Sequence, residues 1–473
     1  HQYNNYFVCF QTVESYNDYV MGKKFLYKGK TMQKTSILII ALLIIVLPAN
    51  VIPADKAGTN TKQEKELAQT ILNNPDLELV LNKARKLLSS GLRAGTGYRE
   101  VWIRDLNTFI ELALDVQKQK DLRQALLLFF HFQGDDGNIV DGYVPKEQAR
   151  VSYKYIKSKS VNEYLAHKNT VETDQESSLV QAVHKYVKKT SDKSFLNEIV
   201  NGTSVLDRME RAMQFLLDHR FNSKYGLIWG ATTSDWGDVQ PEHAWGVVID
   251  DKTHYAIDIY DNAMFIIAIN NFLDLAGPKH PHYQQWHNRA KNLQKNVLKH
   301  LWIQQQHKFR PHIYLKDSPF PKDFDENRIY YHGGTAVAIE ADLLTPNQIE
   351  RACNDMIKNK QSAGAGTIGL TVYPAYPKGF FANPSMGPWS YQNGGDWTWF
   401  GGRMIQQLIH YGFVEQAYQE MIPMVERVKK NNGFYEWYSV DNSPRGSGQF
   451  RGSAGVLGKA IVMIQQWAKL HKN

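Results

Sequence analysis

Hydrophobic residues recur along most of the chain at intervals of three and four positions. Leu206, Met209 and Met213 form one such series, and a second runs through residues 413–425. This spacing places apolar side chains on one face of a helix. It predicts about twelve helices, at 64–90, 100–116, 121–133, 174–189, 202–220, 257–275, 281–303, 333–343, 346–359, 398–411, 413–430 and 453–470.

Glycine, proline and aromatic residues concentrate between alternate helices, and Asp174, Asp261 and Asn347 occupy positions typical of helix caps or first turns. The longest connections are 134–172, 221–256, 305–332, 361–397 and 431–452. Loops this long are uncommon in a compact domain unless they carry function. The alternation of short and long connections predicts an all-α fold, an (α/α)6 toroid of six helical hairpins. We expect its long loops to gather at one end and form the active-site face.

The first part of the chain differs in character from the rest. Residues 38–47 are apolar throughout, Lys34 precedes them and the small Ala54 follows. A basic start, a short apolar run and a small-residue exit predict a secretory signal peptide at about 32–54. The run is shorter than the roughly 20 residues that span a bilayer, although an uncleaved membrane anchor is the alternative. Met32 is the expected translation start.

Cleavage would divide the chain into residues 1–54, an upstream extension with the signal peptide, and residues 55–473, one catalytic domain that is secreted or periplasmic. The formal charge is +8, of which the five lysines and two acidic residues of the pre-sequence supply +3, and no dense basic block follows. Binding to nucleic acid is therefore not expected. Cys9 lies in the pre-sequence, so Cys353 alone remains and the mature chain has no intramolecular disulfide. The sequence has no cysteine and histidine spacing typical of a zinc finger, so we expect no metal. We also expect no cofactor, a monomeric protein and no stable membrane insertion after signal cleavage.

Two stretches in the first half of the chain combine carboxylates with aromatic side chains. Residues 98–105 read Tyr-Arg-Glu-Val-Trp-Ile-Arg-Asp. Arg104 and Asp105 beside Trp102 can grip sugar hydroxyls, which both donate and accept hydrogen bonds; a salt bridge at a helix N-terminus is the alternative. Residues 231–238 read Ala-Thr-Thr-Ser-Asp-Trp-Gly-Asp. A carboxyl packed against indole rings tends to stay protonated, as a general acid must, and a solvated Asp/Gly turn is the alternative.

A third stretch, residues 390–399, reads Ser-Tyr-Gln-Asn-Gly-Gly-Asp-Trp-Thr-Trp. Its glycines allow the backbone to approach a ligand closely, and aromatic residues flank them. The candidate ligand-binding residues are Tyr391, Asn393, Asp396 and Trp397. The alternative is a turn at a helix start that Asn393 or Asp396 caps.

The fourth stretch, residues 433–438, reads Gly-Phe-Tyr-Glu-Trp-Tyr and is followed by Arg445, Arg451 and a loop rich in glycine and serine. Glu436 lies among four aromatic residues, and such a carboxylate can hold and activate a water molecule. An ordinary exposed glutamate is the alternative.

In their order and spacing these stretches resemble the six-hairpin glycosidases, the clan of trehalases, neutral invertases, glucoamylases, processing α-glucosidases and debranching α-1,6-glucosidases. Residues 102–105 resemble the Trp-x-Arg-Asp of glucoamylases and invertases, which binds the sugar in subsite −1. Residues 236–238 resemble the Trp-x-Asp of debranching enzymes, whose aspartate is the general acid. Residues 391–397 are similar to the invertase His-Asn-Gly-Gly-x-Trp, and residues 434–438 to the trehalase segment that carries the general base. The resemblance extends over about 95–470.

The resemblance implies an inverting hydrolase in which Asp238 is the general acid and Glu436 the general base. Their carboxyl groups should then lie about 6.5–9.5 Å apart to leave room for a water. Asp235 is the alternative acid, because both aspartates flank Trp236. The implied sugar-binding residues are Trp102, Arg104, Asp105, Trp236, Tyr391, Asn393, Asp396, Trp397, Trp437 and Arg451. Three of these, Trp102, Trp236 and Trp397, are expected to form stacking walls.

The sequence also departs from parts of the clan. The trehalase loop ending in Gly-Gly-Gly-Gly-Glu-Tyr is replaced by residues 446–451, and the chain has no room for the N-terminal β-sandwich of glucoamylases. A further acidic cluster, Glu172, Asp174 and Glu176, is interpreted as helix capping. An Asp-Trp-x-Asp segment is also typical of disaccharide phosphorylases, in which phosphate replaces the base. A sugar-binding protein without catalysis is the non-enzymatic alternative. The expected partner is an oligosaccharide, best an α-glucoside, with sucrose-like and α-mannoside substrates open.

Overall fold

The computed structural model describes residues 61–150, 154–244 and 247–473, all within one compact unit, Ile52–Asn473. The predicted signal peptide and Cys9 lie outside the described residues, whereas Cys353 is a buried free thiol. The α-helices of the described part are α1 (Lys62–Leu72), α2 (Pro75–Leu88), α3 (Ile103–Ala113), α4 (Gln119–His131), α5 (Gln175–Thr190), α6 (Val205–His219), α7 (Ile259–Ala276), α8 (Tyr283–His300), α9 (His332–Glu340), α10 (Pro346–Ala363), α11 (Thr398–His410), α12 (Val414–Lys430) and α13 (Arg451–His471).

Six of these helices form a closed inner ring. Helices α3, α5, α7, α9, α11 and α13 each pack against the next in this order, and α13 packs against α3 to close the circle. Helices α2, α4, α6, α8, α10 and α12 lie on the inner six, and α1 adds a further contact to α13. The predicted (α/α)6 toroid is therefore confirmed.

Burial separates the two rings, as the hydrophobic pattern requires. Inner helix α7 buries 13 of its 18 residues, because it contacts neighbours on all sides. Outer helix α8 has the same length but buries only Trp286, Ala290, Leu293 and Val297. That four-three-four spacing is a single stripe along one face. Helix α8 therefore covers the inner ring and exposes the rest of its surface to solvent.

The first predicted helix, 64–90, is wrong in one respect, since the structure divides it into α1 and α2. Pro75 cannot donate a backbone hydrogen bond and is favoured at the first position of a helix. Asn74 caps this new start, because its side chain accepts a hydrogen bond from the amide of Asp76. The apolar period continues across the break, so periodicity alone did not reveal it.

A glycine allows the ring to close tightly between α13 and α3. A Cβ atom on Gly455 would lie only 2.3 Å from the Cβ atom of Phe109 on α3. Any larger residue would push the two helices apart, so the close approach of α13 depends on the missing side chain.

The connections between the helices contain short antiparallel strands, and residues 101–102, 203–204 and 302–303, at the ends of segments predicted as helices, are strands instead. These are β1 (Val101–Trp102), β2 (Gly142–Pro145), β3 (Tyr164–His167), β4 (Ile199–Val200), β5 (Thr203–Ser204), β6 (Phe221–Asn222), β7 (Leu227–Ile228), β8 (Gly230–Ala231), β9 (Tyr255–Ile257), β10 (Trp302–Ile303), β11 (Lys308–Phe309), β12 (Ile313–Tyr314), β13 (Tyr330–Tyr331), β14 (Val372–Tyr373), β15 (Tyr435–Tyr438) and β16 (Pro444–Gly448). Two sheets have three strands, in the orders β1-β2-β3 and β12-β9-β8, and the other strands pair in twos.

The long connections precede the inner helices, so the N-termini of the inner ring meet at the loop face. An α-helix carries partial positive charge at its N-terminus. Six such termini at one end of the ring favour a cluster of carboxylates there. Among the described helices, none combines the length and apolar character needed to cross a membrane.

Candidate active site

Arg104, in the first turn of α3, is the centre of a buried ion-pair group. Its guanidinium binds both carboxylate oxygens of Asp174 at 2.7 and 3.0 Å and lies 3.3 Å from Glu172. Asp174 also accepts a hydrogen bond from the hydroxyl of Tyr260. Burial alone would raise the pKa of Asp174, but Arg104 and Tyr260 hold it below the usual range.

This arrangement corrects the interpretation of the acidic cluster as helix capping. Asp174 stands at the N-cap position of α5, but its side chain makes no capping hydrogen bond. Glu176 accepts hydrogen bonds from the amide of Ile139 and from Lys168. Burial and the charges of Asp174 and other carboxylates raise the pKa of Glu172, although Arg104 opposes them. The three acids hold elements together across the loop face.

Asp105 presents an acceptor without a partner. Its Oδ1 atom is buried and makes no hydrogen bond to any described residue. Burial raises its pKa to about 7, with the charges of Glu436 and Asp238 adding to the effect and Arg104 opposing it. A buried polar atom without a partner is costly, so this oxygen is a candidate to bind a sugar hydroxyl.

Asp238 is held by the side chain of Gln392, from the third motif. The Nε2 atom of Gln392 donates to Oδ1 of Asp238 at 2.7 Å, and the Asp238 amide donates back to Oε1 of Gln392 at 3.3 Å. Gln392 is almost fully buried, whereas Asp238 is partly exposed. No described group binds the second oxygen, Oδ2. The carboxyl of Asp238 is therefore oriented on one side and open on the other.

Glu436 lies on β15 and is only 5 % exposed, so the alternative of an ordinary surface glutamate is wrong. The hydroxyl of Tyr98 donates to its Oε1 at 2.8 Å, and the amide of Ser447 donates to its Oε2 at 2.7 Å. Burial raises the pKa of Glu436, as does the charge of Asp238, while the two hydrogen bonds act in the opposite direction.

Several side chains connect Asp238 and Glu436 electrostatically. The pKa of Tyr98, of Asp105 and of Tyr391 is raised, chiefly by burial, and in each case the charges of both Asp238 and Glu436 contribute. Coulomb interactions of this kind decline with distance. Geometry agrees, because Gln392 binds Asp238 and its neighbour Tyr391 packs against Trp437, next to Glu436, with ring centroids 6.3 Å apart. The two carboxylates, far apart along the chain, therefore lie beside one region of the loop face.

Asp235, the alternative acid, has a different environment. Its two carboxylate oxygens accept hydrogen bonds from the amides of Gly333 and Gly334 at 2.7 and 2.8 Å, at the N-terminus of α9. Burial raises its pKa to about 8 even though these bonds favour the ionised form. The side chain is 1 % exposed. Asp235 thus fastens the loop to the ring and offers no free face to a substrate.

The tryptophans divide into buried and accessible ones. Trp236 and Trp397 are 3 % and 2 % exposed and pack edge to face, with ring centroids 4.7 Å apart. Their burial argues against the expected role as stacking walls, because stacking needs an open ring face. Trp102 and Trp437 are half-buried, and Trp102 packs edge to face on His167.

Two candidates of the third motif are engaged in the scaffold. Asp396 is fully buried, forms a bidentate ion pair with Arg427 and accepts two hydrogen bonds from Thr367. Asn393 is fully buried and binds the backbone of Tyr376 through both ends of its amide. Neither side chain caps α11, which starts after Trp397 without a side-chain cap. These contacts leave both residues inaccessible to a sugar, and the alternative that one of them caps the helix is also wrong.

Arg451, at the start of α13, binds the carbonyl of Arg93 and the hydroxyl of Ser90 at 2.5 and 2.7 Å. Burial lowers its pKa to about 10. It therefore joins α13 to the chain segment before α3. The groups that contact it argue for a structural role.

Three residues at the site were not selected from the sequence as ligands or catalysts. Tyr98 contacts Glu436, Gln392 contacts Asp238, and Glu172 lies beside Arg104. Tyr98 and Gln392 lie within two of the motifs described above. Their position in those motifs was the one feature of the sequence that could have marked them as site residues. Their partners, however, come from distant segments.

A cavity of about 630 Å³ lies elsewhere on the surface, lined by residues that include Val101, Arg99 and Tyr143. Trp102, the next residue along β1 after Val101, does not line it. None of the clustered carboxylates lines this cavity. Because several of those carboxyl groups have shifted pKa values, which is typical of functional sites, we place the chemistry there and not in the cavity.

Comparison with known proteins gives a family and a fold. Residues 71–379 match the sequence model of the glycosyl hydrolase 94 superfamily, catalytic domain. No protein of curated function matches the chain.

Solved structures with the same architecture include the GH63 mannosylglycerate hydrolase from Thermus thermophilus in complex with glucose. It is 14 % identical, with a TM-score of 0.57, and the match covers 82 % of this chain and 99 % of that one. A rhamnosidase from Klebsiella oxytoca with rhamnose bound is 16 % identical, with a TM-score of 0.55, and the match covers 83 % of this chain and 64 % of that one. At such identities the similarity concerns the fold alone.

Proposed function

The chain belongs to the glycosyl hydrolase 94 superfamily and is a glycosidase or a related phosphorylase, and we propose that it hydrolyses an α-linked glucoside with inversion of configuration. The observation that carries the proposal is that Gln392 binds Asp238 while its neighbour Tyr391 packs against Trp437, the residue next to Glu436, so that both carboxyl groups lie beside one part of the loop face. An inverting glycosidase needs one carboxyl as acid and a second as base, about 6.5–9.5 Å away.

Asp238 is the proposed general acid. Gln392 holds its Oδ1, which directs the free Oδ2 toward the bound substrate. Asp238 donates its proton to the glycosidic oxygen as the bond to the anomeric carbon breaks. The departing sugar leaves as a neutral alcohol.

Glu436 is the proposed general base. Its raised pKa makes it a stronger proton acceptor than an exposed glutamate. Each of its oxygens already accepts one hydrogen bond, and a carboxylate oxygen has a second lone pair for a water. The water loses a proton to Glu436 while its oxygen attacks the anomeric carbon from the side opposite the leaving group. The product then has the inverted anomeric configuration.

The remaining groups are proposed to bind the sugar. Oδ1 of Asp105 and the buried indole N–H of Trp236 have no hydrogen-bond partner among the described residues. Asp105 is proposed to accept a hydrogen bond from a sugar hydroxyl and Trp236 to donate one. Trp102 and Trp437 are accessible enough to contact a sugar ring. A structural neighbour was solved with glucose, which supports a hexose.

A phosphorylase is the second candidate, because the family match includes enzymes of that kind. In such an enzyme inorganic phosphate attacks the anomeric carbon in place of water. The charges near the site disfavour this reaction. Arg104 is already paired with Asp174 and Glu172. The other charges that act most strongly on Asp105 are carboxylates, namely Glu436, Asp238 and Asp174. A phosphate dianion placed there would be repelled.

The two reactions are separated by one experiment. The protein is incubated with a panel of α-linked disaccharides and α-glucans, with and without inorganic phosphate, and products are followed by proton and phosphorus NMR. We expect free sugar without phosphate, with the inverted anomer appearing first. Accumulation of a sugar phosphate only when phosphate is present would establish the phosphorylase instead. Calorimetric binding of sugar without any turnover would indicate a binding protein.

Two substitutions test the assigned roles. Asp238→Asn should lower kcat at least about a hundredfold with an unchanged fold. Glu436→Gln should cause a loss of similar size, because the amide cannot accept a proton from water. Near-normal turnover in either folded variant would remove that residue from the mechanism.

A further inference from the structure

A second cluster of ionisable groups lies at the other end of the ring. Helix α7 begins beside the carboxylates, where Tyr260 binds Asp174. The helix has 18 residues and ends at Ala276, which at 1.5 Å per residue is about 24 Å from Tyr260. The connection from α7 to α8 follows, and it carries His280 and His282. This cluster is therefore separate from the proposed catalytic site.

The two histidines converge on Glu210, which lies on α6. The Nδ1 atom of His282 is 2.8 Å from Oε1 of Glu210, and the Nε2 atom of His280 is 3.9 Å from Oε2. One ligand atom from each of the three side chains falls within 4.8 Å of the other two. Among the described residues no other group of three such side chains meets this geometry.

We propose that Glu210, His280 and His282 bind one Zn²⁺ ion. Two imidazole nitrogens and a carboxylate oxygen are a ligand set that suits Zn²⁺, whereas Mg²⁺ and Ca²⁺ prefer oxygen ligands. Zinc bonds of about 2.0–2.2 Å bring the ligand atoms of one ion to within roughly 3–4 Å of each other. The observed separations need only small side-chain rotations to reach that geometry. The ion would take the place of the hydrogen bond between Nδ1 of His282 and Oε1 of Glu210.

Neighbouring groups hold these ligands in position. The indole nitrogen of Trp286, on α8, donates to Oε1 of Glu210 at 2.6 Å. The His280 ring packs edge to face on Phe272, with centroids 5.3 Å apart. The backbone amide of His282 donates a long 3.3 Å hydrogen bond to Nδ1 of His280. When zinc binds Nε2 of His280, the proton of the neutral ring is on Nδ1, which can no longer accept this bond. Hydrogen bonds to the ligands orient them for the metal.

The site is suited to a structural ion. It joins α6, the α7–α8 connection and α8, three elements of one side of the ring. The side chain of His282 is 56 % exposed, so water can complete the fourth position. Binding only to the folded chain would raise its stability with the logarithm of the zinc concentration once that concentration exceeds the Kd.

The test uses the full chain, purified without a polyhistidine tag and treated with a chelator that is then removed. Zinc binding is measured by calorimetry and by elemental analysis after gel filtration, and thermal unfolding is followed with and without ZnCl₂. We expect one Zn²⁺ per chain and a higher Tm with zinc. His282→Ala should weaken zinc binding at least about tenfold, while leaving the Tm without zinc and the sugar chemistry unchanged.

His287→Gln is the matched control, because His287 lies on α8 near the cluster but stacks on Tyr283 instead. It should bind zinc like the unaltered chain. Substoichiometric zinc, or equal zinc binding by His282→Ala, would overturn the proposal and leave a hydrogen-bonded cluster. If His282→Ala lowers the Tm without zinc, Glu210→Gln provides a second variant. Zinc binding that survives this change as well would also reject the site.

Discussion

Tyr98→Phe is the change that tests the proposed base most directly. The variant removes the hydroxyl that donates to Glu436 at 2.8 Å and keeps the ring that packs against Trp102. A hydrogen bond to a charged group contributes about 1.5–3 kcal/mol. Its loss should therefore raise the pKa of Glu436 further, and at about 1.4 kcal/mol for each pH unit the midpoint of the measured rate profile should move by roughly one to two pH units. The direction follows because the bond stabilises the ionised carboxylate.

A general base works only when it is deprotonated, so the acidic limb of the profile of kcat/KM against pH should move upward by roughly one to two pH units. Below that limb the variant should be about ten- to a hundredfold slower, and at alkaline pH it should approach the unaltered enzyme. The assay is the initial rate of sugar release across pH, with the fold checked by circular dichroism.

Tyr435→Phe is the control, because Tyr435 precedes Glu436 on β15 and makes no described hydrogen bond to it. Its profile should not move. The reasoning is refuted if Tyr98→Phe lowers kcat/KM equally at every pH. That result would mean that Tyr98 binds substrate, or that a group other than Glu436 titrates on the acidic limb.

Three further predictions concern neighbouring residues. Asp235→Asn should lower the free energy of unfolding by about 1–3 kcal/mol, because asparagine has one side-chain oxygen and can accept a hydrogen bond from only one of the backbone N–H groups of Gly333 and Gly334. A folded variant with a hundredfold lower kcat would instead make Asp235 the acid. Gln392→Met should lower kcat about tenfold at nearly constant KM, because Asp238 loses its orienting contact, and an unchanged kcat would contradict this. The pKa of Asp105 rises on folding to about 7, so its contribution to stability is fully present below the unfolded pKa of about 4 and is lost as pH rises from there to about 7. The stability of Asp105→Asn relative to the unaltered chain should therefore increase by about 1–3 kcal/mol between pH 5 and pH 8, and an unchanged difference between the two pH values in denaturant titrations would disprove it.

Much of the fold could be predicted from the sequence because helix formation depends on local spacing. The stripe of α8 and the continuous apolar run of α7 are visible in the printed residues. The residues that cause the break between α1 and α2, Asn74 and Pro75, are also visible in the sequence. The break was not predicted because the apolar spacing continues through it. The signal peptide at about 32–54, the monomeric state and the export of the chain stay predictions.

The sequence by itself determined which residue types were available for chemistry, since a carboxylate among aromatic residues, such as Glu436, is a local feature. It did not decide which carboxylates face the cleft. Asp396 and Asp235 stand in equally suggestive motifs, but Arg427 and the amides of α9 bind them. Those partners come from distant segments, and only the closure of the ring brings them together. Tertiary packing therefore distinguishes Asp238, which Gln392 binds through one oxygen only, from these two aspartates, and its role as the acid stays a proposal; local spacing could not reveal the difference, because long-range pairing leaves no trace in it.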